Sequence, residues 1–244
     1  MITKDQVENL SSLFQIDRFT VIREYLQLVF LSYLYQEREA GKIFFKGGTA
    51  LRLLFDSPRF SEDLDFSTVY PDEGIIKLLK ELERKIAREL PGLKIVPLYS
   101  GREGIRFRVR FGLSDFKYPL NIRLDFHRVD EVRDKQISTL TTRFPIMIFP
   151  QVFHLSMEMI LAEKLAALET RCKGRDIFDV WFLIAKGVTA LSDTKYNKDK
   201  IIKRVKSFSQ TQLDKDLGKF LPKNQKKIIP FLKEETIKRL QFKE

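Results

Sequence analysis

The sequence predicts an α/β chain of the α+β kind. Residues 1–150 should form a mixed sheet with helices on its face, and residues 151–244 a helical bundle. Three observations carry this. Four stretches between residues 93 and 144 alternate polar and apolar residues: "LKIVPLY", "GIRFRVRFG", "YPLNIRLDFHRV" and "ISTLTTRF". Helical spacing of apolar residues precedes them and returns after Phe149-Pro150. Hydrophobic residues make up 43% and charged residues 32%, enough to bury a core under a polar surface.

The elements follow in order. Residues 18–39 read as a helix, because Ile22, Leu26, Val29, Phe30 and Tyr33 recur at helical spacing. "KIFF" is a short apolar strand. Gly47-Gly48 makes a turn, and "TALRLLF" continues as a helix whose first N–H groups are unbonded. "DSPRFSE" is a loop, and "DLDFS" a strand. Residues 71–90 form a helix, with Pro71 at its start and Pro91-Gly92 at its end. After the four strands, helices are expected over 152–172, 176–186, 197–208 and 224–241. No internal repeat or low-complexity linker interrupts the chain.

Composition narrows the function. No run of about 18 apolar residues is present, so no membrane span is expected. "MITKDQVENL" lacks the apolar segment of a secretory signal, which points to the cytoplasm. A single cysteine, Cys172, excludes an internal disulfide and a cysteine-based zinc knuckle. Two histidines exclude a histidine-rich metal site. The net charge is +11, and the stretch 191–244 holds 15 Lys/Arg against 7 Asp/Glu. That stretch thus carries +8 and the first 190 residues +3. A basic C-terminal segment suits RNA or DNA, or is simply a solvated lysine-rich helical surface.

The chemistry concentrates in two strands. In a strand, residues i and i+2 share a face. Asp63 and Asp65 therefore project together, with Leu64 and Phe66 opposed. "NIRLDF" puts Asn121, Arg123 and Asp125 on one face and Ile122, Leu124 and Phe126 on the other. If the strands are neighbours, three carboxylates converge and repel one another. A divalent ion relieves that, and oxygen-only ligands favour Mg²⁺ or Mn²⁺. Gly47, Gly48 and Thr49 begin a helix upstream, where N–H groups can hold phosphate oxygens. The alternative is a surface strand with its acids toward water.

These residues resemble a family. "GGTALRLLF…RFSEDLDF" is similar to the first motif of the AbiEii/AbiGii toxin family, within the polymerase-beta-like nucleotidyltransferase superfamily. Gly47, Gly48, Asp63, Asp65 and Asp125 match the superfamily pattern. Arg59 and Ser61 match the toxin form "R-x-S-x-D-L-D-F". "AEKLAALETRCKGRDIFDVWFL" resembles the later motif, through Lys164, Arg171, Arg175, Asp176 and Asp179. The resemblance spans about residues 25–187. It implies a nucleotidyltransferase fold with the nucleotide between the two halves. It implies transfer of NMP from an NTP to a hydroxyl, and a toxin of a type IV toxin–antitoxin or phage-defence system. The acceptor it suggests is the 3′ end of tRNA. A cognate antitoxin, a DNA-binding regulator, is an implied partner.

Lys164, Leu168, Arg171 and Arg175 would form one helical stripe if the helix persists, a cationic face for triphosphate with Lys164 on the β/γ-phosphates. Gly174 should break that helix. Asp176 is either a functional acid, as the resemblance implies, or a cap or ion pair with Arg171 or Arg175. Asp179 could pair with Arg175 at i, i+4. Arg59 and Ser61 are expected to bind the nucleotide. His127 shares a face with Asp125, as a nucleic-acid or outer-sphere contact or as an ordinary exposed histidine. No role is expected for His154, and Trp181 reads as core. Two other functions compete: transfer to a small molecule or a protein hydroxyl, and a non-catalytic nucleotide- or RNA-binding module.

Overall fold

The structure, a computed structural model, describes residues 1–112, 119–191 and 195–242. Its contacts divide into two compact units. The first is Met1–Asp56 with Phe60–Leu155, and the second is Ser57–Arg59 with Ser156–Glu244.

Local signals place the helices of the first unit. Thr3 and Gln6 form a reciprocal capping box at the start of α1 (Lys4–Phe14), a helix absent from the expected elements although Val7, Leu10 and Phe14 recur at helical spacing. Asp17 caps α2 (Arg18–Leu34), which is buried around most of its circumference. Helix α3 (Gly47–Phe55) follows strand β1 (Ile43–Lys46) without a loop. Helix α4 (Asp72–Glu89) buries one stripe, Ile75, Leu78, Leu79, Leu82 and Ile86.

The remaining strands are β2 (Leu64–Thr68), β3 (Lys94–Gly101), β4 (Gly104–Phe111), β5 (Leu120–Arg128), β6 (Lys135–Thr139) and β7 (Gln151–Leu155). Among the described residues they form one mixed sheet, ordered β3-β4-β5-β2-β1-β7-β6. Strand β2 lies parallel to β5 and antiparallel to β1, and β4 is antiparallel to β5. One face of the central strands is apolar. Ile105, Phe107 and Val109 of β4, Ile122, Leu124 and Phe126 of β5, and Leu64 and Phe66 of β2 are all buried. Phe66 stacks on Phe126 with ring centroids 4.9 Å apart. The alternation that buries these side chains fixes which residues share the other face.

The helix expected over 152–172 is two elements. Residues 152–155 belong to β7, which pairs with β1 and β6. Ser156 then caps α5 (Met157–Thr170) through its side chain. Buried Val152, His154 and Leu155 fit strand and helix alike by spacing, and pairing with two strands decides the outcome. Tyr118, the first residue of one expected strand, lies outside the described residues.

In the second unit, α5 is followed by α6 (Gly174–Ala185), α7 (Lys198–Ser207), α8 (Gln210–Gly218) and α9 (Leu232–Phe242). Helix α6 packs on α5, α8 and α9. Its core includes Leu168, Ile177, Val180, Leu183, Ile201, Leu213, Leu217 and Leu232, all buried. The helix expected over 224–241 is a 3-10 stretch, Lys223–Phe231, and then α9. Pro230 lacks an N–H and opposes a continuous α-helix there. Among the described residues, no helix is long and apolar enough to cross a membrane.

Candidate active site

The parallel register of β2 and β5 sets Leu64 opposite Leu124, Asp65 opposite Asp125 and Phe66 opposite Phe126. The two phenylalanines anchor this register in the core, so the aspartates meet on the polar face. Antiparallel pairing extends the row on both sides. Lys46 of β1 stands opposite Asp65, and Arg106 of β4 opposite Asp125. One line across four strands thus reads cation, acid, acid, cation.

Gly47 lets α3 begin beside this row. Its φ is +76°, in the region that favours glycine. A Cβ built on it would lie 2.5 Å from Oδ2 of Asp65. The Asp65 carboxylate therefore lies against the first turn of α3, where a negative charge is favoured. Gly48 and Thr49 are buried in the same turn. The Thr49 hydroxyl donates to the Asp63 carbonyl, pinning the approach to β2. Ser61 is held through its carbonyl, which accepts from Nε2 of Gln27 at 3.2 Å.

Asp63 precedes β2 rather than lying within it. Its Oδ2 accepts from the Arg123 guanidinium at 2.6 Å, and Oδ2 of Asp125 accepts from Nε of Arg106 at 2.9 Å. Among the described residues, no group of three His, Cys, Asp or Glu side chains is arranged to hold a metal ion. The sheet supplies instead the register pair Asp65 and Asp125, donors of oxygen only. Mg²⁺ typically binds one or two carboxylates, completing its shell with substrate phosphates and water. The pair and the glycine turn that admits the Asp65 carboxylate fit such an ion.

The other expected residues form a charged network inside the second unit. Lys164 on α5 places Nζ 3.0 Å from Oδ1 of Asp176 and 2.8 Å from Oδ2 of Asp179. Asp179 also accepts two hydrogen bonds from Arg59, at 2.8 and 2.9 Å, and both residues are buried. Arg171 caps the C-terminus of α5 and donates to Asp176 at 3.1 and 3.3 Å. Burial by itself would raise the Asp176 pKa, but Lys164 and Arg171 lower it to about 2. Burial by itself would lower the Lys164 pKa, but Asp179 and Asp176 raise it above the ordinary lysine value. The expected cationic stripe ends at Arg171, because α5 stops at Thr170 and Cys172 turns the backbone to φ 47°. Arg175 lies on α6, its guanidinium 5.3 Å from the Phe220 ring centroid. His127 is exposed, and in register with Ser67.

A family model described as nucleotidyl transferase AbiEii toxin, type IV TA system, matches residues 29–239. The chain belongs to the AbiEii family. The match reaches well beyond residue 187, where the motif resemblance ends. This AbiEii chain resembles MenT4, a nucleotidyltransferase toxin from Mycobacterium tuberculosis. The TM-score is 0.65 at 16% identity, covering 100% of this chain and 91% of that one. It also resembles JHP933 from Helicobacter pylori, with TM-score 0.59 and 22% identity over 93% and 92% of the two chains. A putative nucleotidyltransferase from H. pylori gives 0.60 and 24% over 93% and 95%. At these identities the likeness is one of fold. No curated protein matches the sequence. The AbiEii chain is a nucleotidyltransferase of a type IV toxin–antitoxin family.

Sequence reasoning assigned no role to Arg106, offered Arg175 as a partner of Asp179 and did not foresee Arg59 there. Alternation in "GIRFRVRFG" shows that Arg106 faces away from the core, but not that Asp125 is opposite. Arg59 and Asp179 are 120 positions apart, and no local pattern signals such a pair.

Proposed function

We propose that this chain transfers NMP from an NTP to a hydroxyl at the 3′ end of tRNA, with Mg²⁺ or Mn²⁺. The observation that carries the reading is the register pair Asp65 and Asp125 beside the Gly47 turn. Asp63, Asp65 and Asp125 are the carboxylates assigned to the metal. A divalent ion bound there would offset charge on the triphosphate and lower the pKa of a coordinated hydroxyl. Gly47, Gly48 and Thr49 would present backbone N–H groups to phosphate oxygens. Asp125 would accept the proton of the acceptor hydroxyl as its oxygen bonds to the α-phosphorus. The bond from that phosphorus to the bridging oxygen breaks, and pyrophosphate leaves.

Residues 1–150 are assigned as the catalytic domain and 151–244 as a helical domain that completes the nucleotide site. Ammonium offers three donors, and Lys164 uses two on Asp176 and Asp179. Its third is assigned to phosphate, with Arg171 and Arg175 adding positive charge. Arg59 and Ser61 are assigned to nucleotide binding. The family's type IV character supports a cognate antitoxin, here assigned as a DNA-binding regulator in the cytoplasm.

Incubation with each α-labelled NTP, Mg²⁺ and total cellular RNA tests the reading. Label should enter a tRNA-sized band and vanish in Asp65→Ala. Label in protein alone would move the acceptor to a protein hydroxyl. No incorporation with any NTP would overturn the assignment.

A further inference from the structure

The polar face of the sheet carries more positive charge than the carboxylates offset. Arg106, Arg108 and Arg110 of β4 alternate with buried Phe107, Val109 and Phe111. Pairing with β5 sets Arg106 opposite Asp125, Arg108 opposite Arg123 and Arg110 opposite Asn121. On the other side of β4, β3 sets Lys94 opposite Arg110. Arg106 and Arg123 are bonded to Asp125 and Asp63. Lys94 reaches Glu83 at 3.4 Å. Arg108 and Arg110 are exposed, and among the described residues no carboxylate is paired with either.

Like charges directly opposite each other destabilise a sheet. Here two such pairs follow in succession, Arg108 with Arg123 and Lys94 with Arg110. Nothing in the core requires them, since the apolar face packs through the alternate residues. Neighbouring side chains on one face of a strand stand about 7 Å apart along it. The row therefore suits a chain of phosphates better than a single anion. It begins at Arg106, which is bonded to Asp125, so whatever follows it is led to the acid pair.

We propose that Arg108, Arg110 and Lys94 form a track for the phosphodiester backbone of a single-stranded RNA end, leading it to Asp65 and Asp125. The inference rests on the reading that the acceptor is RNA. It places recognition on arginines of the sheet rather than on the lysine-rich C-terminal stretch. Guanidinium forks on a strand are preorganised for phosphate, whereas lysines on solvated helices are not.

The test is equilibrium binding of the full chain to a short 5′-fluorescein single-stranded RNA, read by anisotropy without NTP. Salt is varied from about 50 to 200 mM. Arg108→Gln/Arg110→Gln should weaken binding by about tenfold or more. It should also flatten the plot of log affinity against log salt by about 1.4, or about 0.7 per lost phosphate contact. Arg108→Lys/Arg110→Lys should keep the slope. Lys203→Gln/Lys206→Gln on α7 should bind as the parent does. A thermal melt confirms that each variant is folded, and both arginines are exposed. Unchanged affinity and slope in the double glutamine variant would overturn the track. So would absence of RNA binding by the parent chain, or displacement of RNA by polyglutamate at equal charge. No turnover enters the measurement, so failure of nucleotidyl transfer shows separately, as absence of label incorporation.

Discussion

Asp65 and Asp125 stand directly opposite each other on two parallel strands, and the Asp65 carboxylate lies against Gly47. Two acids in register on adjacent strands repel each other unless cations surround them. The flanking Lys46 and Arg106 meet that need within the chain. A divalent ion would meet it more strongly during turnover.

Asp65→Asn and Asp125→Asn should each reduce NTP incorporation by at least about a hundredfold while the melting temperature stays near the parent value. Removal of charge-stabilising groups at this kind of site typically costs that much. Asp63→Asn should retain more activity than either, because Asp63 lies outside the register row and faces Arg123. Equal loss in all three, measured with labelled NTP, would make Asp63 an equal partner.

Gly47→Ala should impair catalysis far more than stability. The left-handed backbone costs a side-chain-bearing residue about 1–2 kcal/mol. The added methyl would also push on Oδ2 of Asp65, and a displacement of about 1 Å in a reacting group costs roughly a hundredfold in rate. Steady-state incorporation and a thermal melt, compared on the same preparation, separate the two effects.

Asp179→Ala should destabilise the chain by about 3–5 kcal/mol, since it leaves buried Arg59 without its carboxylate and removes one partner of Lys164. Adding Arg59→Met should recover part of that loss. Denaturant unfolding measures both. A loss that simply adds between the two substitutions would show that they do not interact.

Asp176 makes stability depend on acid. Its folded pKa of about 2 lies below the ordinary aspartate value. Its contribution is therefore full above pH of about 4 and fades as pH falls toward 2. The displacement corresponds to roughly 2 kcal/mol. Unfolding free energy should drop faster for the parent than for Asp176→Asn as pH falls from about 5 to 3. Lys164 behaves oppositely: its raised pKa stabilises below the ordinary lysine value and the contribution is lost as pH rises through the folded one. Parallel curves for parent and Asp176→Asn would remove Asp176 from the acid dependence.

Local pattern alone sets which strand residues share a face and where the acids and glycines fall. Period-two alternation in "GIRFRVRFG" and "NIRLDF" is local, and burying one face orients every side chain of the strand; in "DLDFS" it holds from Leu64 onward, since Asp63 precedes β2. The glycine turn at Gly47-Gly48 is local too, whereas α5 ends at Thr170, ahead of the break expected at Gly174. Tertiary structure decided which strands are neighbours, and hence that Asp65 meets Asp125, that Arg108 meets Arg123, and that residues 152–155 are strand. It also decided that Asp179 receives Arg59 and Lys164, both distant in sequence. Pairing between strands and burial of charge depend on contacts far apart in the chain, and one sequence carries no signal for them.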